Sequence, residues 1–227
     1  MTQISPLQLA YLNVSDAITA DNSEEVFFFE KTVSANQKHS TLEMTTENLN
    51  YQYLIAFGSN LGSRRNNIDK AIHEIQKLGK NVCVSNIYET PPLGPADQNF
   101  LNGVMTVASP IPPIILLENL LAIETMLGRT RHVRWGNRSI DLDIILASYN
   151  GQNIIAKNNN ELILPHPEAL NRNFVLVPAT EIAGDWIHPT TGRTLEEERK
   201  LRDYQLDVIH QSASPTKETA KQTITEV

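Results

Sequence analysis

The stretch "SIDLDIILAS" (Ser139–Ser148) alternates apolar and acidic residues from Ile140 to Ile144, then runs on as Ile-Leu-Ala. In a strand, side chains alternate faces with period two. Asp141 and Asp143 therefore point one way, and Ile140, Leu142 and Ile144 point the other way, into a core. The stretch predicts a strand with one packed face and one face carrying two carboxylates, as in an antiparallel sheet covered on one side.

Working outward, "YQYLIAF" (Tyr51–Phe57) is a short, largely apolar strand, and "GSNLGSRRN" turns the chain. Ile68, Ala71, Ile72, Ile75 and Leu78 recur at helical spacing, so residues 66–78 read as an amphipathic helix ending at Gly79. "VCVSNIYET" (Val82–Thr90) is a second strand. "PPLGPADQN" is a loop, because its three prolines and glycine forbid either regular element. "FLNGVMTVAS" (Phe100–Ser109) is a third strand. A second helix spans 114–127, entered through Pro112-Pro113 and stopped by Gly128. With Ser139–Ser148 the order is β-α-β-β-α-β, an α+β, ferredoxin-like arrangement. It predicts an antiparallel sheet with both helices on one face and the other face free for loops. "ILPHPEALNRNFVLVPATEIAG" adds loop and short helix, and "TLEEERKLRDY" one further helix.

The chain has 227 residues, 41% of them hydrophobic, which allows one domain of ordinary size plus extensions. Residues 1–50 carry seven acids and two bases and read as a disordered extension; 51–211 form the folded domain; 212–227 read as a disordered tail. The net charge of −7 argues against a general nucleic-acid or membrane-surface binder. The one cysteine, Cys83, excludes an internal disulfide and reads as a small buried hydrophobe. No apolar stretch is long enough to span a bilayer and no signal pattern opens the chain, so a soluble, cytoplasmic protein is expected.

Two like charges on one strand face repel unless a cation lies between them. Mg²⁺ suits the pair, since it takes oxygen ligands from one or two carboxylates and from substrate phosphates. D-x-D alone is a weak motif and also fits two solvated acids, or acids paired with upstream arginines. The arginines add weight: Arg129, Arg131, Arg134 and Arg138 fall within ten residues, just before the carboxylates. Guanidinium groups hold phosphate oxygens bidentately and keep their charge. Acids for a metal beside arginines for phosphates describe a metal–polyphosphate site. A basic loop on a ferredoxin-like sheet would also suit RNA, but the chain is acidic and lacks the aromatic RNA-binding signature of RRM domains. A metal-dependent nuclease would not need the stiff proline loop.

That loop suggests a second ligand. Thr90, Pro91 and Leu93 present backbone groups in fixed directions. Phe100 and Asn102 share a strand face, and an aromatic plate beside a carboxamide suits a flat heterocycle. Core packing for Phe100 and turn satisfaction for Asn102 are the plainer alternatives. Phe174 would supply a second plate. A lone histidine is usually structural, but His166 lies between two prolines in a loop after the carboxylate strand, where it could donate to a phosphate oxygen and Arg172 could stabilise charge during transfer; these residues alone do not define either role.

"AFGSNLGS", "ETPPLGPADQNFLN", "GRTRHVRWGNRSIDLDIIL" and "LPHPEALNRNF" together resemble the 6-hydroxymethyl-7,8-dihydropterin pyrophosphokinase family of folate biosynthesis, from about Tyr53 to about Leu195. The most specific part is R-W-G-x-R-x-x-D-x-D-I. The resemblance implies a ferredoxin-like fold and transfer of diphosphate from ATP to the pterin hydroxymethyl group, with AMP released and two Mg²⁺ ions bridging the phosphates. By matched position it implies Asp141 and Asp143 as metal ligands. It implies Thr90, Pro91, Leu93, Phe100, Asn102 and Phe174 as the pterin pocket. Glu124, Arg131, Trp135, Arg138, Ile144, His166 and Arg172 become the ATP site, with Arg131, Arg138, Arg172 and the two aspartates catalytic.

Some positions depart from the pattern. Asn137 stands where proline is usual, which suggests a looser loop. Phe100 replaces a frequent tyrosine, Leu121 a glutamine of some members, and Glu161 an arginine. The expected partners are small molecules only, with no nucleic acid and no membrane, and a monomer is the default.

Overall fold

The computed structural model describes residues 51–93, 96–129, 136–158, 162–204 and 206. The expectations placed on 1–50, on 212–227 and on Arg131, Trp135 and Glu161 lie outside the described residues. The elements run β1 (Tyr51–Ser59), α1 (Arg64–Gln76), β2 (Lys80–Val84), β3 (Tyr88–Thr90), β4 (Phe100–Ser109), α2 (Pro113–Met126) and β5 (Asp141–Tyr149). After them come β6 (Gln152–Asn153), β7 (Ala156–Asn158), β8 (Leu162–Leu164), a 3₁₀ turn (Ala169–Asn171), α3 (Asn173–Ala183) and α4 (Leu195–Leu201).

The main sheet has the order β2-β4-β1-β5-β6, with β3 also against β4, and its pairings are antiparallel. β2 and β3 lie end to end along one edge of β4, pairing Val84 with Met105 and Tyr88 with Asn102. They are the single strand expected over Val82–Thr90, interrupted at Ser85–Ile87. At the break Ser85 stays bonded to β4. Ser85 Oγ accepts the Val104 N–H at 2.9 Å, and the Ser85 N–H reaches the Val104 carbonyl at 3.0 Å. Counted as one strand, β2/β3 completes the ferredoxin-like order. Cys83 in β2 is half-buried rather than buried, because this strand forms the sheet's edge.

Each face of the sheet supports its own core. Tyr53, Ile55 and Phe57 of β1 pack with Ile68, Ala71 and Ile75 of α1 and with Leu116, Leu120 and Ile123 of α2. This is the two-helix face the sequence predicted. α1 spans Arg64–Gln76, because its last turn closes through i→i−3 bonds from Lys77 and Leu78 to Glu74 and Ile75. α2 stops at Gly128, whose φ of +80° costs glycine nothing. On the opposite face Leu54 and Ala56 of β1 and Val104 of β4 meet Val175, Leu176, Ala179 and Ala183 of α3, with Leu195 of α4. The C-terminal addition is therefore an eleven-residue helix that covers part of the face expected to carry loops. α4 is short but well begun: Thr194 and Glu197 form a reciprocal capping box.

β5 changes phase partway along. Ile140, Leu142 and Ile144 lie in the helical core, as period two requires. Pairing with β1 then slips between Leu54 and Ile55, which face Leu146 and Ile144. Ile145 is the extra residue of this bulge. Both Ile145 and Leu146 join the α3 core, and Ala147 returns to the other. The bulge supplies two large apolar side chains to α3 immediately beyond the carboxylates.

Candidate active site

The β5 carboxylates open a row across the sheet. Asp141 pairs with Gly58, Gly58 with Asn102, and Asn102 with Tyr88. Cross-strand partners share a face, so Asp141, Gly58 and Asn102 look the same way, toward the side that carries α3. Asp143, Thr90 and Phe100 share that face by period two. Over this end of the sheet lies a cleft of about 350 Å³. Its floor is the row just described; its walls come from α2, from the loop after β3 and from the segment entering α3.

Gly58 is the residue that opens the floor. A Cβ there would stand 2.5 Å from Asn102 Oδ1 and 3.5 Å from the Phe100 ring. The missing side chain lets Asn102 lie across the strand. Asn102 Nδ2 donates to Thr90 Oγ1 at 2.7 Å, and both residues are buried. That bond leaves the Asn102 carbonyl oxygen and the second amide hydrogen for a ligand with both donors and acceptors. Phe100 enters from β4, and Phe174 from the first turn of α3. The Arg172 guanidinium carbon lies 5.9 Å from the Phe174 ring centroid.

Charge is concentrated at the carboxylate end. Arg138 holds Asp141 at 2.6 Å and Arg129 holds it at 2.8 Å, while Arg129 also pairs with Glu124. Glu124 is 2% exposed, projects from α2 and accepts the Leu142 N–H at 2.8 Å. Burial pushes its carboxyl up to about 7 against the pull of Arg129. Burial, then the neighbouring Asp141 charge, raises Asp143 to about 6, opposed by Arg172 at 3.6 Å. His166 is pinned by its backbone N–H, which donates to the Ile145 carbonyl at 2.9 Å. The Glu168 N–H donates to His166 Nδ1 at 3.2 Å, which leaves the proton on Nε2, 4.0 Å from Asp143. Burial, then Arg172, lowers this imidazole to about 4, so at neutral pH it is an uncharged donor facing the cleft.

Twelve of the residues singled out from sequence line this one cleft: Thr90, Pro91, Leu93, Phe100, Asn102, Glu124, Arg138, Asp141, Asp143, His166, Arg172 and Phe174. Ile144 does not. Its side chain is 4% exposed in the helical core, where the period-two reading put it. Leu121, one of the departures, lines the α2 wall. Sequence reasoning gave no role to Gly58, although a glycine inside a strand signals close approach. It counted Arg129 among the arginines without seeing that this residue joins Glu124 to Asp141. Asn137 does more than loosen its loop: its carboxamide makes two hydrogen bonds, to Asn60 and to Asp97, that a proline would not make.

The family model described as 7,8-dihydro-6-hydroxymethylpterin-pyrophosphokinase (HPPK) matches residues 54–184. A 2-amino-4-hydroxy-6-hydroxymethyldihydropteridine pyrophosphokinase of Haemophilus influenzae is 37% identical over 155 residues, covering 67% of this chain and 94% of that protein. One of Bacillus subtilis is 45% identical over 131 residues, covering 56% of this chain and 75% of that protein. A crystal structure of a Plasmodium falciparum HPPK-DHPS variant superposes with a TM-score of 0.53 at 14% identity, which concerns the fold alone. The match covers 67% of this chain and 45% of that one, so this chain spans less than half of the solved chain's length.

Proposed function

The chain belongs to the 7,8-dihydro-6-hydroxymethylpterin-pyrophosphokinase family, and from that premise we propose how its cleft moves a diphosphate group from ATP to the hydroxymethyl group of 6-hydroxymethyl-7,8-dihydropterin. The observation that carries the reading is the shared face. One row and its period-two neighbours bring two carboxylates, a bonded Thr90–Asn102 pair and Phe100 to the same opening, beneath Arg138, Arg172 and Phe174.

The pterin lies between Phe100 and Phe174, with Asn102 and the backbone of Thr90, Pro91 and Leu93 addressing its polar edge. ATP lies toward α2, bounded by Glu124, Leu121, Arg138, His166 and Arg172, with Arg131 and Trp135 added by the resemblance. The donor set of Asp141 and Asp143 fits a hard cation. Among the described residues no three His, Cys, Asp or Glu side chains converge, so phosphate and water oxygens would complete the shell, as Mg²⁺ prefers. Two Mg²⁺ ions held there would draw charge from the phosphate oxygens.

The chain's own residues position and neutralise. The substrate hydroxyl oxygen bonds to the β-phosphorus and gives up its proton to solvent, as the bond from that phosphorus to the α–β bridging oxygen breaks and the oxygen departs on AMP. Stacking holds the hydroxymethyl group in line, a contribution of orientation rather than covalent chemistry. Arg138 and Arg172 balance charge that moves onto the bridging oxygen. His166 Nε2–H donates to a phosphate oxygen without adding a net charge. In the same proposal the enzyme acts as a monomer in the cytoplasm, on small-molecule substrates. Among the described residues, no helix is long and apolar enough to cross a membrane.

The test is nucleotide analysis after incubation with the pterin alcohol, ATP and Mg²⁺. The expected products are AMP and the pterin diphosphate in equal amounts. ADP as the nucleotide product, or no pterin-dependent AMP, would sink the reading.

A further inference from the structure

Asn60 follows the last residue of β1 and has no exposure to solvent. Its carboxamide is engaged from three sides. Nδ2 donates to the Gln98 carbonyl at 3.2 Å and to Asn137 Oδ1 at 2.8 Å, and Oδ1 accepts the Arg138 N–H at 2.7 Å. The Asn60 N–H also donates to the Arg138 carbonyl at 3.1 Å. Gln98 belongs to the loop that carries Pro91 and Leu93. Asn137 and Arg138 belong to the segment that leads into Asp141. A buried amide thus fastens both walls to the floor.

Above the floor the walls meet once more, and here Asn137 makes the join. Its Oδ1 faces Asn60, and its Nδ2 donates to Asp97 Oδ1 at 2.7 Å. The orientation is self-consistent, because an ionised carboxylate only accepts and the Asn60 amide nitrogen only donates. Asp97 and Asn137 are both solvent-exposed, so this outer bond can open and close without uncovering a core. Neither residue lines the cleft.

We propose that Asn137 is a positioning residue that ties the pterin wall to the nucleotide wall, so that ordering one wall orders the other. The inference rests on the reading of the cleft given above. A ligand that fixes its own wall bears the conformational cost of ordering; through the bridge, the second ligand bears less of it. The result is positive coupling between the two sites. The bond is charge-assisted but exposed, so its share of the coupling is modest.

The experiment measures affinity of the full chain for the pterin alcohol, with and without saturating Mg²⁺ and a non-hydrolysable ATP analogue. The ratio of the two affinities is the coupling. Asn137→Ala lowers that ratio about three- to tenfold, while affinity for the nucleotide analogue alone stays within about twofold. Asp97→Ala gives the same loss, and the two together give no more. Combining Asp97→Asn with Asn137→Asp reverses the donor and acceptor, and the new carboxylate can still accept from Asn60, so coupling returns. An unchanged ratio in the single variants overturns the proposal, even if their thermal stability falls. So does a swapped pair that fails to restore coupling the single changes removed. A wild-type chain that binds neither ligand defeats the reading of the cleft itself, and the bridge with it.

Discussion

One face of the sheet is used in two ways along its length. On β1, Leu54 is fully buried under α3, while Gly58, four residues on and on the same face, is the bare floor of the cleft. On β5, Asp141 and Asp143 occupy the open part, and the bulged Ile145-Leu146 pair fills the closed part. α3 divides the two: Phe174 and Val175 in its first turn reach the cleft wall, and Leu176, Ala179 and Ala183 beyond them lie in the core. The lesson is that charged chemistry stands directly beside a dry apolar contact. The contact fixes where the reactive groups sit, and the bulge is what lets a single strand serve both.

The sharpest way to break this comparison is at the carboxylates. Asp141→Ala or Asp143→Ala should lower kcat by about a thousandfold or more, equivalent to roughly 4 kcal/mol, with the thermal midpoint almost unmoved. Near-normal turnover with Mg²⁺ and ATP would remove the metal assignment. The closed half should answer the other way. Leu176→Ala should cost about 2–5 kcal/mol of stability, measured by urea unfolding, while kcat below the transition falls little. A large fall in kcat with stability unchanged would show that the two halves are not separate.

Smaller changes sharpen the boundary. Gly58→Ala brings a methyl into the space of Asn102 Oδ1. It should raise KM for the pterin about tenfold, or roughly 1.4 kcal/mol, with KM for ATP little changed. An equal rise for both substrates would place Gly58 at a shared wall instead. The smallest effect lies farthest from the cleft. His188 is buried beside Glu198 in the segment leading to α4, and burial, against the pull of Glu198, lowers its pKa below the ordinary value. The folded state therefore binds this proton less readily than the unfolded chain. Stability is fully present above the ordinary histidine pKa and is lost as pH falls through and below it. His188→Gln should make the acid-side decline of Tm shallower by about 1–3 °C. A parallel curve would mean that His188 does not drive that decline.

Much of this molecule was legible in one dimension, for reasons that particular residues make plain. Period two placed Asp141 with Asp143, and Phe100 with Asn102, because side-chain direction in a strand is a local property. It also placed the Ile144 side chain in the core, where the structure keeps it. The helix end at Gly128 was readable to within a few residues, because the left-handed backbone that glycine accepts is local too. What escaped was non-local. The Ser85–Ile87 break depends on a hydroxyl meeting a β4 amide. The joining of Glu124 to Asp141 depends on Arg129 meeting a β5 carboxylate twelve residues on.

By itself the sequence determined the order of strands and helices, the faces they present, and the residue types able to hold a metal, a polyphosphate and a flat ring. Spacing carries all of these, since each follows from the geometry of a few bonded neighbours. Only the tertiary structure decided that Gly58 would lie between Asp141 and Asn102, that Arg129 would join Glu124 to Asp141, and that Asn137 would bridge Asn60 and Asp97. Those contacts join residues brought together by register and packing across the fold, and no local preference of the chain encodes them.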